Sequence, residues 1–230
     1  MLMFMNNNRK IAYIAIFFLT SYLFFGCSSS RTQYIDPEYR KNRISEPISI
    51  LFINYDTFAD VIRNHSFSHP SLYENQFLND NSGIILSFVT QSRVLGVVDE
   101  IDPTKYPFKS TVFEVRDTPV HILTPVKKTV IKHNDAVPRF VLILDQYFFR
   151  QFVQTTQGSV YAGHERAHSR QVLFFQTNYG IWDNEQGNII GWGSVSAEQT
   201  ISGTPNFSDY THVLQRSFER IVRQSPFDVL

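Results

Sequence analysis

The stretch Phe140-Val141-Leu142-Ile143-Leu144-Asp145-Gln146-Tyr147-Phe148-Phe149-Arg150-Gln151-Phe152-Val153 decides the architecture. Leu142, Leu144 and Phe148 fall on one face of an extended chain, with Val141, Ile143 and Tyr147 on the other. A run that is apolar on both faces predicts a central strand, covered on each side. Asp145 inside it reads as a paired core polar group, as a sheet-edge residue, or as a functional carboxylate.

Working outward, Gln171 to Trp182 is a second long strand. Asp183-Asn184-Glu185-Gln186-Gly187-Asn188 is a turn in which Gly187 supplies a positive φ. Ile189 to Ala197 returns as the hairpin partner, and Gly191 and Gly193 beside Trp192 mark a bulge or close packing. Phe207, Tyr210, Val213, Leu214, Phe218, Ile221 and Val222 then recur with a helical period. Asn206 or Ser208 can cap that helix, and Ser225-Pro226 stops it.

Upstream, Ile48 to Ile53 is a compact β-prone run. Phe58–Arg63 reads as a short helix, and Ile84, Ile85, Phe88 and Val89 as one face of another over Gly83–Gln91. Val94 to Val98 is a short strand. Residues 111–132 hold β-branched runs broken by Pro119 and Pro125, which predicts short or edge strands. The expected fold is α+β: a mostly antiparallel sheet, a C-terminal amphipathic helix, and one or two further helices on one face. Residues 48–230 form its single domain.

The chain has 230 residues with 21 basic and 21 acidic side chains, which excludes the strong positive footprint of an ordinary nucleic-acid binder. One cysteine excludes a disulfide framework within the chain and any multi-cysteine metal or iron–sulfur site. That cysteine, Cys27, stands at an informative place. Arg9 and Lys10 precede sixteen uncharged residues, Ile11 to Gly26, and Cys27 follows Gly26 directly. The run is short for a spanning helix and suits a signal-peptide core.

Gly26-Cys27 after Leu23-Phe24-Phe25 resembles the lipobox of bacterial lipoproteins, with Phe24 where Leu is usual. The resemblance implies cleavage after residue 26 and acylation, palmitate included, of Cys27. Ser28, Ser29 and Ser30 lack the Asp that often retains such proteins at the inner membrane, so an outer-membrane address is expected. Removing residues 1–26 takes away Arg9 and Lys10 and leaves 19 basic and 21 acidic groups. Residues 27–47 read as the lipidated cysteine and a tether.

The strands at 140–144 and 179–183, the turn with Gly187 and the helix ending Ser225-Pro226-Phe227 look like a group of uncharacterised bacterial envelope lipoproteins. Their layout is similar to the α/β domain of the TolB amino-terminal region, of the curli secretion lipoprotein and of lipoprotein activators of penicillin-binding proteins. The resemblance implies a non-enzymatic periplasmic domain that binds partner proteins in envelope assembly; no cofactor and no nucleic-acid partner is expected. It supplies no binding residues.

One motif names a chemistry. His164-Glu165-Arg166-Ala167-His168 has the spacing that, on a helix, puts two imidazoles on one face to grip zinc, with the glutamate as general base. Glu185 or Glu198 would be the third ligand. Against this, Gly158 and Gly163 precede the motif and a strand follows at Gln171, which leaves one or two helical turns. Arg166 also stands where zinc peptidases place an apolar residue. A polar hairpin loop is the plainer reading, and a non-catalytic metal-binding loop lies between. His65 and His69 read as loop residues, His121 and His133 as surface β residues, and His212 as part of the polar side of the last helix. Trp182, Trp192, Phe148 and Phe149 are either core or an exposed aromatic patch for a partner. The expected function is a lipid-anchored binding or assembly module, and the competing one a zinc metallopeptidase.

Overall fold

The computed structural model describes residues 33–40, 45–53, 74–98, 107–156 and 168–227. The chain divides into two compact units, Met1–Arg31 and Thr32–Leu230, and every described residue lies in the second. The elements are β1 (Gln33–Ile35), α1 (Pro37–Arg40), β2 (Ile48–Ile53), α2 (Glu74–Val89), β3 (Val94–Val97) and β4 (Phe108–Val115). There follow β5 (Thr118–Pro125), β6 (Phe140–Thr156), β7 (His168–Asp183), β8 (Asn188–Ile201) and α3 (Phe207–Gln224).

The fold class differs from the α+β expectation. Among the described residues strands outweigh helix, 53% to 23%, and the main sheet is mixed rather than mostly antiparallel. Its six strands run β1-β8-β7-β6-β2-β3, and β4 and β5 form a second sheet. The difference lies in β2, which is parallel to both β6 and β3. Its residues Ile48, Ser49, Ile50 and Leu51 are all buried. Consecutive burial of this kind needs cover on both faces, as interior parallel strands have.

The two faces carry two cores. Helices α2 and α3 cover one, where Ile48, Ile50, Leu142, Leu144, Phe175, Tyr179 and Ile190 meet Leu86, Val213, Leu214 and Phe218. The β4–β5 hairpin covers the other, where Leu51, Val141, Ile143 and Trp182 meet Val115, Val120 and Ile122. The central position expected for β6 holds, since β2 and β7 flank it. Its alternation breaks at Gln146, which has φ +51° and marks a bulge between Asp145 and Phe148. Tyr147 and Phe149 thereby join Leu142 and Leu144 on the helix face.

The β7–β8 hairpin turns where expected, with Gly187 at φ +64°. A bulge sits beside Gly191, and a Cβ at that glycine would overlap the Ile35 side chain of β1. Asn206 caps α3, accepting from Ser208 N (2.8 Å) and Asp209 N (3.2 Å), while Asp209 accepts from Asn206 N (2.9 Å). This capping box satisfies amides that the first helical turn leaves open.

In α2 the buried stripe is Phe77, Leu78, Ser82, Ile85, Leu86 and Val89, whereas Ile84 and Phe88 are exposed. The helix begins nine residues before the expected Gly83, and the buried serine hides its stripe from a count of apolar residues. Thr129-Val130-Ile131 lies outside the strands, and the helix expected at Phe58–Arg63 falls outside the described residues. Within the expected tether, Gln33–Ile35 pairs with β8 as an edge strand.

Candidate functional site

The sequence-derived site residues are not brought together among the described residues. Cys27, His164 and Glu165 lie outside them. His168 opens β7, with its backbone extended and paired to Thr156, whereas the zinc arrangement needs it on a helix. Glu198 is ion-paired to Arg170 (2.8 Å), and Glu185 to Arg139. Among the described residues no three His, Cys, Asp or Glu side chains are grouped to hold a metal ion. No described helix is long and apolar enough to cross a membrane.

The turn after β7 is a polar network whose geometry is structural. Asp183, fully buried, accepts from Tyr39 OH (2.7 Å), Arg139 (3.0 Å), Glu185 N (2.8 Å) and Gln186 N (3.1 Å). Burial first, and then the hydrogen bond to Asp183, raise the Tyr39 phenol above its ordinary range. Asn184 accepts from Ile131 N (2.9 Å) and donates to Ile131 O (2.9 Å) and Pro138 O (2.6 Å). Trp182 donates from Nε1 to Thr129 O and Asn184 Oδ1, each at 3.2 Å. The Asp183 and Asn184 side chains are paired within the protein, while Arg139 Nε is buried without a partner among the described residues, so this site staples the turn and the 129–139 loop together.

Asp145 is also a paired core group. Its carboxylate, buried between the sheets, accepts from Leu123 N (2.7 Å) and Gln146 N (2.8 Å), which ties β5 to the bulge of β6. Of the four aromatics weighed as a patch, Trp182 and Phe149 are buried. Trp192 is half-buried, stacked between Tyr34 (4.2 Å) and Phe113 (4.6 Å). Phe148 is half-buried against Phe174 (6.1 Å), which also meets Phe152 (6.2 Å).

The surface that sequence reasoning missed is the outer edge of β8. β1 pairs with β8 only from Gly191 to Gly193, and among the described residues no strand pairs outside Ser194 to Ile201. Asp36 N donates to Ile190 O (2.8 Å), Arg216 to Glu198 O (2.7 Å), and Arg220 to Ser196 O. Even-numbered residues of β8 therefore turn their main-chain groups outward. Arg216, Arg220 and Arg223 are exposed on α3 at positions i, i+4 and i+7, and so form one stripe. The helical period that marks the apolar face of α3 also marks this stripe; what the sequence hides is that it lies along a strand edge left unpaired among the described residues.

No family model and no curated protein matches the chain. Among solved structures, it is similar to a minor lipoprotein from Acinetobacter baumannii, 13% identical, with TM-score 0.31, covering 82% of this chain and 98% of that one. It is also similar to a neuraminyllactose-binding hemagglutinin homolog from Helicobacter pylori, 10% identical, with TM-score 0.29, covering 78% and 83%. Overlaps of this size define no shared family.

Proposed function

We propose that the chain is a lipid-anchored protein of the bacterial cell envelope, acting as a non-enzymatic binding or assembly module that faces the periplasm. The observation that carries it is Gly26-Cys27: the lone cysteine directly follows a small residue at the end of an uncharged run. Two or more acyl chains give stable anchoring where one is marginal. Anchoring confines the folded unit to the membrane surface and raises its effective concentration beside a partner there. An outer-membrane address and kinship with the TolB amino-terminal type of domain belong to the same reading. The envelope lipoprotein resemblance supports it, as do the paired states of Asp145, Asp183, Glu185 and Glu198, which leave them engaged as structural groups.

Metabolic labelling with an alkynyl palmitate tests the anchor. The expected result is label on the chain, lost in Cys27→Ala together with membrane fractionation; an unlabelled wild-type chain overturns it. Metal analysis of the purified full chain tests the peptidase alternative. Near-stoichiometric zinc that disappears in His164→Ala would establish a metal site and displace the non-enzymatic reading.

A further inference from the structure

We infer that the outer edge of β8, from Ser194 to Ile201, is a strand-addition site for an extended acidic segment of a partner polypeptide. The inference deepens the binding-module reading and rests on it for the existence of a partner.

Main-chain geometry gives the class of ligand. Ser194, Ser196, Glu198 and Thr200 share the outward parity of Ile190 and Trp192, through which β8 already holds β1. An added strand would run end to end with β1 and antiparallel to β8, using the same row of donors and acceptors. Two of those acceptors, Ser196 O and Glu198 O, now take guanidinium donors from Arg220 and Arg216. Backbone amides of an incoming strand replace those donors and release both arginines.

Charge gives the ligand's sign. Among the described residues Arg216 and Arg220 make no ion pair, and their hydrogen bonds go to backbone carbonyls. They stand on the helix side of the edge, and Arg223 continues their stripe along α3. On an added strand alternate side chains point to that side. Carboxylates at those positions meet freed guanidinium groups and form charge-assisted hydrogen bonds. A basic segment meets like charge there. The opposite side of the edge carries Ser194, Ser196 and Thr200, with Glu198 already committed to Arg170, and suits small polar side chains.

The test uses the full chain in detergent micelles and a short synthetic peptide alternating threonine and glutamate, with a threonine–lysine peptide as control. The acidic peptide is expected to bind and to slow amide exchange at Ser196 and Glu198. Ser196→Pro removes an outward N–H at an edge position that tolerates proline, and is expected to weaken binding roughly tenfold or more while the fold persists. Charge reversal, Arg216→Glu with Arg220→Glu, is expected to switch preference to the lysine peptide. No binding, or binding that survives Ser196→Pro, overturns the inference. So does an arginine-dependent attachment to phosphatidylglycerol vesicles without any binding of the peptide. Failure here leaves the palmitate result untouched, so the edge and the anchor are judged separately.

Discussion

Replacing Asp183 by alanine removes the acceptor at the centre of the β7–β8 turn. All four of its bonds, from the Tyr39 hydroxyl, the Arg139 guanidinium and two turn amides, end on the charged carboxylate and are worth about 1.5–3 kcal/mol each. The sum overstates the loss. Arg139 retains Glu185 in solvent, and the turn amides reach water once the carboxylate is gone. The expected destabilisation is about 3–5 kcal/mol, a large share of an ordinary domain's stability of about 5–15 kcal/mol. Asp183→Asn keeps one oxygen for Glu185 N and Gln186 N but turns an NH2 toward Tyr39 or Arg139, so about 2–3 kcal/mol is expected. Tyr39→Phe alone, which removes the hydroxyl's bond to the carboxylate, should cost about 1.5–3 kcal/mol. Urea unfolding measures all three, and a shifted midpoint with an unchanged slope identifies a stability effect. The double variant Tyr39→Phe with Asp183→Ala should cost less than the sum of its parts, because both remove one bond. A loss below about 1 kcal/mol for Asp183→Ala, or strict additivity in the cycle, would refute the hub.

Three further outcomes follow from the same geometry. Burial raises the phenol of Tyr179, and burial with the Asp183 bond raises that of Tyr39. Unfolded tyrosines titrate near pH ~10, so above it the unfolded chain binds fewer protons than the folded one. The stability these groups contribute is complete below pH ~10 and falls above it by up to about 1.4 kcal/mol per pH unit per tyrosine. Denaturant midpoints across pH 9 to 11 (approximately the tyrosine range) should show a shallower decline in Tyr179→Phe; an unchanged decline counts against the burial argument. Gly187→Ala puts a Cβ 2.7 Å from Lys128 Cα and N at a φ of +64°, so about 2–3 kcal/mol of destabilisation and a displaced 126–129 loop are expected by urea unfolding and amide exchange. Leu214→Ala, at a fully buried position of α3, should cost about 2–5 kcal/mol, and a cost under 1 kcal/mol would contradict the packing of α3 on the sheet.

The β6–β7–β8 arrangement and α3 were legible because alternation, a Gly-containing turn and a 3.6-residue period are local signals. The bulge at Gln146 was not: a non-glycine residue at positive φ leaves no compositional mark, yet it moves Tyr147 and Phe149 onto the helix face. The parallel placement of β2 escaped for another reason. Ile48-Ser49-Ile50-Leu51-Phe52-Ile53 announces a buried strand, but its neighbours lie 46 and 92 residues away in register, and no local signal encodes them. The site was less legible than the fold. The histidine motif is conspicuous by spacing alone, while an open strand edge is a property of which partners stop pairing, and among the described residues β1 pairs with β8 only as far as Gly193.

The chain has two tryptophans, and the fold places them in separate optical environments. Trp182 lies between the two sheets with its indole N–H bonded. Trp192 is sandwiched by Tyr34 of β1 and Phe113 of β4. Trp182 emission thus reports closure of the small sheet over the large one. The near-ultraviolet circular dichroism of the Trp192 stack reports seating of β1 on β8. A partner or a variant that loosens one without the other would separate the two signals in a single unlabelled sample.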